Sequence, residues 1–257
     1  MTRPDSKTRS LEAYTVLRRD IIGGALAAGS KLRIGELQER YGIGALPIRE
    51  ALNRLSAEML VSKLENRGFA VPPLDYEAYL EIANSRLVVE TAALQLSIAR
   101  REAAWEDRLV LAFHRLSKAG SSSGADDGTG AYLLSEAWAE SHRQFHFELI
   151  SACGNGWLTA FCHQLYEQSA RYRSRRRRIS SSSWAIRTNL VAEHREIMDA
   201  AIAGDAPTAT RLLVEHYRRS VEIVLGNRVE VVRDPWRFVP SREVESAGDD
   251  HPAVASV

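Results

Sequence analysis

Four histidines are spaced along the chain in a way that suits metal coordination. His142 and His146 are four residues apart, which places both imidazoles on one face of a single helix. His194 and His216 lie in two later segments of helical periodicity, whose apolar faces turn toward a shared interior. Three or four converging imidazoles bind Zn²⁺ or another borderline divalent cation. On spacing alone, ordinary core or surface histidines remain the alternative.

A second group of side chains suits the binding of an anion. Arg86 lies on a helix expected to face the same interior, and a guanidinium binds a carboxylate through two parallel hydrogen bonds. Arg171, Tyr172 and Arg173 are further candidate donors. Glu90 follows Arg86 by one helical turn, so an Arg86–Glu90 pair is an alternative that is compatible with both roles.

Helices must position these residues. After residue 75 the apolar side chains recur with a period near 3.6 in segments 79–100, 104–117, 132–152, 157–173, 189–203 and 207–225. This pattern predicts an antiparallel bundle of six or seven helices. Residues 119–130, rich in Gly, Ser and Asp, predict a flexible loop, and residues 179–183 predict a polar break.

Residues 41–55 predict a helix-turn-helix. Gly42 and Gly44 supply the turn, and Pro47 suits the first position of the second helix. The apolar residues of that helix share one face: Ile48, Ala51, Leu52 and Leu55. Arg49 and Arg54 are then free to face outward with Asn53, as a recognition helix in a major groove requires. A helical hairpin that does not bind DNA is the alternative.

Short apolar segments at 60–64 and 69–71 flank a turn and predict a two-stranded wing. With two earlier helices, residues 8–73 form a winged helix-turn-helix. Pro72-Pro73 interrupts regular structure and marks the domain boundary. Residues 75–226 form the helical effector-binding and dimerisation domain, and residues 227–257 are expected to be a flexible tail. The predicted fold class is mainly α.

Arg49 is the foremost candidate for contacting the major groove or a flanking phosphate, supported by Arg33 and Arg54. At the wing tip, Arg67 and Gly68 are suited to the minor groove. The predicted DNA-binding residues are Arg33, Gly44, Ala45, Leu46, Arg49, Arg54, Arg67 and Gly68.

The charge distribution agrees with one DNA-binding domain. Residues 1–74 hold 12 Lys and Arg against 8 Asp and Glu, whereas residues 75–257 hold 22 against 25. The chain lacks a long apolar run and a signal peptide, which predicts a cytoplasmic protein without a membrane segment. Cys153 and Cys162 are too few for a disulfide framework and are expected to be ordinary thiols.

These motifs resemble a known family. Residues 11–73 look like the winged-helix domain of GntR-family transcriptional regulators, whose pattern Gly-Val-Ser-Arg-x-Pro-Val-Arg-Glu-Ala-Leu-x-x-Leu is similar to residues 42–55. Residues 75–225 resemble the FCD effector domain of the FadR subgroup. The matching motifs are Arg86-Leu87-Val88-Val89-Glu90, Phe145-His146, Cys153-Gly154-Asn155, Glu193-His194, Ile202-Ala203-Gly204-Asp205 and His216. The resemblance implies a metal site that includes His146, His194 and His216.

Two departures from the family pattern bear on function. Gly44-Ala45 replace the common Ser-Arg, which removes one typical DNA contact. His142 replaces the usual aspartate ligand, so it coordinates the metal, bonds the effector or fills space. The His-x-x-x-His variant, with Arg171-Tyr172-Arg173 downstream, is similar to CsiR-like regulators, which the family associates with small dicarboxylates such as glutarate.

The sequence therefore predicts a homodimeric, sequence-specific DNA-binding transcriptional regulator, not an enzyme. It is expected to be a repressor that binds a pseudo-palindromic double-stranded operator and is released by a small mono- or dicarboxylate effector. Effector binding must favour another domain arrangement, with a hinge near Pro72-Pro73. One alternative is a metal-dependent hydrolase, although no acidic residue stands at a spacing such as His-Glu-x-x-His. Another is a constitutive DNA-binding dimer without an effector.

Overall fold

A computed structural model describes residues 6–65, 68–121, 136–177, 184–225, 229–231 and 238–240. The N-terminal elements are α1 (Ser6–Ile22), β1 (Lys31–Leu32), α2 (Ile34–Tyr41), α3 (Ala45–Ala57), β2 (Ser62–Leu64) and β3 (Gly68–Ala70). The strands form an antiparallel sheet in the order β1-β3-β2, with Lys63 opposite Phe69. The predicted winged helix-turn-helix is confirmed, and β1 is a further strand of the wing.

The winged domain has its own hydrophobic core. Ile48, Leu52 and Leu55 of α3 are completely buried, and they belong to the same cluster as Ala13 and Leu17 of α1. Burying an aliphatic side chain of this size stabilises the fold by about 1.5–3 kcal/mol. Burial of this face fixes which side of α3 remains exposed.

The turn before α3 needs only one glycine with special backbone geometry. Gly42 ends α2 at φ 66°, a left-handed conformation that glycine adopts without strain, and its N–H donates to Gln38. Gly44 precedes α3 with φ −65°, a backbone conformation that residues other than glycine also adopt. Because α3 begins at Ala45, Pro47 is the third helical residue and not the first as predicted. Its missing N–H costs nothing there, since first-turn N–H groups have no acceptor within the helix.

The second part of the chain is a helical bundle. Within the described residues its helices are α4 (Tyr76–Arg100), α5 (Ala103–Ser121), α6 (Glu136–Ile150), α7 (Gly156–Arg177), α8 (Trp184–Ile202) and α9 (Ala206–Leu225). The predicted mainly helical class is confirmed. Asp75 caps α4 by accepting a hydrogen bond from the Ala78 N–H, and Asn155 caps α7 through the Leu158 N–H. A second core forms between these helices around Leu87, Leu94 and Phe145, all fully buried.

Three predicted irregular segments differ from the structure or lie outside it. Helix α5 continues to Ser121, so the start of the predicted 119–130 loop is helical, and residues 122–130 lie outside the described part. The predicted break at 179–183 also lies outside it. In the predicted tail, β4 (Val229–Val231) and β5 (Phe238–Pro240) pair as antiparallel strands. Across the described helices, none has the length and apolar content needed to span a membrane.

Candidate functional site

Four histidines converge inside the helical bundle. His142 and His146 project from α6, His194 from α8 and His216 from α9. One nitrogen of each ring lies within 4.8 Å of the corresponding nitrogens of the other three. His146 Nε2 is 3.3 Å from the Nε2 atoms of both His142 and His194. The structure therefore brings all four predicted metal-site residues together.

Burial keeps these imidazoles neutral. Each of the four side chains is at most 7% exposed. Loss of hydration lowers the pKa of His142, His146 and His194 well below 6.5, and the neighbouring imidazoles lower these pKa values further. Burial also lowers the pKa of His216, although the Glu193 carboxylate opposes this effect. A neutral imidazole keeps a lone pair, so the four rings are in the form that coordinates a metal.

Outer hydrogen bonds orient three of the rings. The contacts are His194 Nδ1 to the Leu190 carbonyl, His216 Nδ1 to Glu193 Oε2 at 3.0 Å, and His142 Nδ1 to the Tyr166 hydroxyl at 2.8 Å. An Nδ1–H that donates to a carbonyl or carboxylate leaves the Nε2 lone pair directed into the cluster. Glu193 and Tyr166 were not among the predicted site residues. Glu193 had appeared only within the Glu193-His194 family motif, and no sequence signal pointed to Tyr166.

Two nitrogen separations in the cluster match those of a tetrahedral zinc site, and the remaining ones are at most 4.8 Å. With Zn–N bonds of about 2.0–2.1 Å, adjacent ligand atoms are roughly 3.3–3.4 Å apart. The two contacts of His146 Nε2 match this separation. A single proton on His146 Nε2 can be directed well at only one of these neighbours. A divalent cation accepts a lone pair from every ring at once, so the residues present fit such an ion.

A surface cleft of about 220 Å³ opens beside the cluster, between α8 and α9. Its polar lining residues are Glu193, Glu196, Glu215, His216 and Arg219. Glu193 bonds both His216 and Arg219. Burial raises the pKa of Glu193, but the hydrogen bonds from His216 and Arg219 outweigh burial and leave the pKa lowered. Glu193 is therefore an ionised acceptor that fixes the His216 ring.

Arg86 is buried next to the histidines and is paired with Glu90. Its Nε lies 2.6 Å from Glu90 Oε1, and its Nη2 donates to the Tyr217 hydroxyl at 3.2 Å. The Tyr217 hydroxyl in turn donates to Glu90. Burial lowers the pKa of Arg86, but Glu90 and Tyr217 raise it by more. The pairing alternative is thus the arrangement found, and Glu90 neutralises the Arg86 charge.

Arg173 supplies a positive charge from α7. Its Nη1 donates to Ser169 Oγ at 2.7 Å, and its guanidinium lies 4.8 Å from the centre of the Tyr166 ring. The Tyr166 hydroxyl contacts His142. No carboxylate pairs with Arg173 in the part of the chain that the structure describes. This guanidinium is therefore available to an anion.

Arg171 and Tyr172 take other positions. Arg171 Nη2 donates to the Pro72 carbonyl, and Tyr172 stacks on Tyr79 with ring centres 4.7 Å apart. Residues two apart on a helix point to nearly opposite sides, because each residue rotates the chain by about 100°. The three candidate donors at residues 171–173 therefore lie in different surroundings, and Arg171 and Tyr172 bond or stack on residues outside the histidine cluster. Arg173 is the member directed toward the histidines.

The predicted recognition helix exposes its first turn. Gly44, Ala45 and Leu46 are exposed, and Arg49 lies one turn further along the same exposed side. Among the described residues, no acidic side chain pairs with Arg49. An exposed first turn of this kind is the part of a recognition helix that contacts base edges in the major groove.

Arg33 and Gly68 line the same cleft beside the wing. Together with Lys31 and Phe69 they line an open cleft of about 430 Å³. Arg33 is exposed and pairs with Glu36 at 2.9 Å. Lys31, which the sequence prediction passed over, adds a second positive charge to this surface. A basic surface beside a wing suits phosphate contacts.

Arg54 differs from the other predicted DNA contacts. Its guanidinium lies 3.7 Å from the centre of the Tyr14 ring and bonds Glu58 at 3.3 Å. These contacts hold the exposed Arg54 side chain against Tyr14 of α1 and Glu58 at the end of α3. Arg67, predicted at the wing tip, lies outside the described residues.

Comparison with known proteins identifies both parts of the chain. Residues 9–71 match the bacterial regulatory proteins of the gntR family, and residues 81–219 match the FCD domain. The chain is 37% identical over 223 residues to the uncharacterised HTH-type transcriptional regulator BphR of Paraburkholderia xenovorans strain LB400, covering 86% of this chain and 88% of that protein. It is 30% identical over 223 residues to the HTH-type transcriptional repressor GlaR of Escherichia coli strain K12, covering 84% and 95%.

A solved structure has the same fold. The E. coli McbR/YncC structure superposes with a TM-score of 0.69 at 20% identity, over 87% of this chain and 98% of that chain. The family matches and the named relatives identify a regulator and not an enzyme. The chain belongs to the GntR family and is a DNA-binding transcriptional regulator with an N-terminal winged helix-turn-helix and a C-terminal FCD domain.

Proposed function

We propose that this regulator is a homodimeric repressor that holds a divalent metal, with Zn²⁺ as the best fit, and leaves its operator when a small carboxylate binds the helical domain. The observation that carries the proposal is the buried cluster of His142, His146, His194 and His216. Neutral imidazoles, two pairs of which have nitrogens 3.3 Å apart, suit this metal, and no other part of the described bundle gathers such ligands.

The charges around the cluster favour an anionic effector. Four neutral imidazole ligands add no negative charge to offset a bound cation, and the Glu193 carboxylate behind His216 offsets only part of it. A cation bound there would supply a Lewis-acidic centre for an oxygen ligand. Arg86 is neutralised by Glu90, whereas Arg173 has no described carboxylate partner. One carboxylate at the metal and a second at Arg173 would make a dicarboxylate the preferred effector. Glutarate is the first candidate, from the resemblance to CsiR-like regulators.

Arg173→Ala is expected to weaken the response to glutarate by tenfold or more, since a charge-assisted hydrogen bond is worth about 1.5–3 kcal/mol. Thermal-shift titrations with glutarate, run with Zn²⁺ and after chelation, measure this loss, because a ligand of the folded state raises apparent stability. Arg143→Ala is the matched control, since Arg143 pairs with Glu140 on α6. Equal glutarate titrations of the Arg173 variant and the wild type would rule out this role. Absence of any response in the wild type would favour a dimer without an effector of this class.

The homodimer is supported by exposed apolar residues of the bundle. Val88 and Leu96 of α4 are 60% and 38% exposed, and Trp157 and Phe161 of α7 are 78% and 49% exposed. Trp157 and Phe161 lie side by side with ring centres 6.4 Å apart, and neighbouring exposed apolar side chains are typical of a protein interface. A two-fold pair of winged domains would match a pseudo-palindromic operator.

Arg49→Ala is expected to weaken operator binding by about 1–3 kcal/mol, which is roughly 5- to 150-fold. The loss is expected because Arg49 lies on the exposed side of α3, where its guanidinium can reach the major groove of DNA. None of the described acidic side chains forms an ion pair with it. Fluorescence anisotropy on an operator selected from random duplexes by the wild-type protein measures the effect. Arg115→Ala, an exposed arginine of α5, is the control for loss of charge alone. Unaltered affinity of the Arg49 variant would remove this residue from the interface.

A further inference from the structure

The end of the recognition helix is held by a buried side chain of the helical domain. Gln168 of α7 is only 6% exposed, and its Nε2 donates to the Glu58 carbonyl at 2.8 Å. Glu58 is the C-cap residue of α3, and its own N–H donates to the Arg54 carbonyl. The last carbonyls of a helix have no partner within it, so Gln168 supplies the Glu58 carbonyl with a donor from the helical domain.

Neighbouring residues of α7 extend this contact. Arg171 donates to Gln168 Oε1 at 3.4 Å and to the Pro72 carbonyl in the interdomain linker. Glu167 forms an ion pair with Arg18 of α1. Three contacts thus hold α3, the linker and α1 against a single stretch of α7. The orientation of α3 relative to the bundle is therefore set by specific polar contacts as well as by packing.

The residue after Gln168 faces the candidate effector site. Ser169 Oγ accepts hydrogen bonds from Arg86 Nη1 at 3.1 Å and from Arg173 Nη1 at 2.7 Å. A single turn of α7 therefore touches both interior arginines on one side and the recognition helix on the other. A displacement of this turn would move the α3 contact directly, without passing through the linker.

We propose that Gln168 is a positioning residue for DNA recognition, which fixes the angle of α3 relative to the dimerising bundle and so sets the half-site spacing that the protein accepts. The inference rests on the proposed homodimer, since spacing has meaning only for two coupled winged domains. B-DNA turns once in about 10–10.5 base pairs, so one added base pair rotates a half-site by roughly 35°. A rigid α3 contact resists that rotation, and a loosened contact accommodates it.

The test is Gln168→Met, which keeps the length of the side chain and removes both its N–H donor to Glu58 and its oxygen acceptor from Arg171. Gln144→Met is the matched control, because Gln144 bonds Glu148 within α6 alone. Operator duplexes with the selected spacing, and with one base pair added or removed, are titrated against each protein by anisotropy. Wild type and control are expected to lose about tenfold or more on altered spacing, and the Gln168 variant about threefold or less. Thermal unfolding and sedimentation accompany each titration.

Each outcome separates the spacing role from a merely structural one. A Gln168 variant that melts at a lower temperature yet keeps the wild-type spacing ratio would overturn the inference. If the wild type is dimeric and the Gln168 variant loses as much affinity on altered spacing as the wild type does, the spacing role is overturned and the homodimer is not. A monomeric wild type would overturn the homodimer and the spacing role together. A reduced ratio in a dimeric, folded variant supports the positioning role.

Discussion

Arg86→Ala is expected to lower the free energy of unfolding by about 3–5 kcal/mol, which is a large part of the total for a domain of this size. The substitution leaves Glu90 buried without its cation, and both members of the pair are at most 5% exposed. It also removes a donor from the Tyr217 and Ser169 hydroxyls. Urea denaturation followed by circular dichroism measures the change.

The double variant Arg86→Met, Glu90→Gln separates charge burial from packing. It removes both charges while leaving a side-chain amide at position 90 that is able to bond Tyr217, so it is expected to recover most of the loss. Arg143→Ala, which breaks the partly exposed pair with Glu140, is expected to cost about 1 kcal/mol or less. A loss below about 1 kcal/mol in the Arg86 single variant would show that Glu90 finds another partner or becomes protonated.

His146→Ala is expected to abolish metal retention and the stability that depends on it. His146 Nε2 contacts two other ligand atoms of the cluster, so its removal opens the centre of the site. A ligand present at a thousand times its dissociation constant stabilises the folded state by about 4 kcal/mol. Elemental analysis after gel filtration measures the zinc content, and urea midpoints with Zn²⁺ and with chelator measure the stabilisation.

His163→Ala is the control for this experiment. The His163 ring stacks on Phe147 at 3.8 Å and does not belong to the four-histidine cluster. It should retain the wild-type zinc content and midpoint difference. Comparison of the chelated wild type with chelated His146→Ala isolates the packing cost of losing the ring. A wild type that takes up no zinc, or a His146 variant that retains it fully, would refute the metal site.

Local sequence patterns were sufficient to locate the helices of the bundle and the buried face of the recognition helix. The 3.6-residue period of the apolar residues located the bundle helices, and the spacing of Ile48, Ala51, Leu52 and Leu55 defined the buried face of α3. This worked because a helix buries whichever face its own sequence makes apolar. Strand β1 was missed, since a two-residue strand has no period of its own and forms only by pairing with β3. The ends of α3 and α5 were also misplaced, because helix ends depend on caps and neighbours.

The functional side chains divide in the same way. Helical spacing placed His142 and His146 on one face, and the alternative of an Arg86–Glu90 pair followed from their separation by one turn. The sequence also indicated that Arg171 and Arg173 point to different sides of α7, since residues two apart on a helix are about 200° apart around its axis. The sequence did not indicate which of the two faces the interior, because both faces of α7 are buried against other elements.

The sequence by itself determined the family, the two helical architectures and the residue types available to each site. Only the tertiary structure decided that α6, α8 and α9 bring four imidazoles to one point, and that Glu193 and Tyr166 orient them. It also decided that Gln168 reaches the end of the recognition helix, 110 residues away in the chain. Such contacts depend on how helices pack through their side chains across long sequence separations, whereas periodicity specifies only which face of each helix is buried.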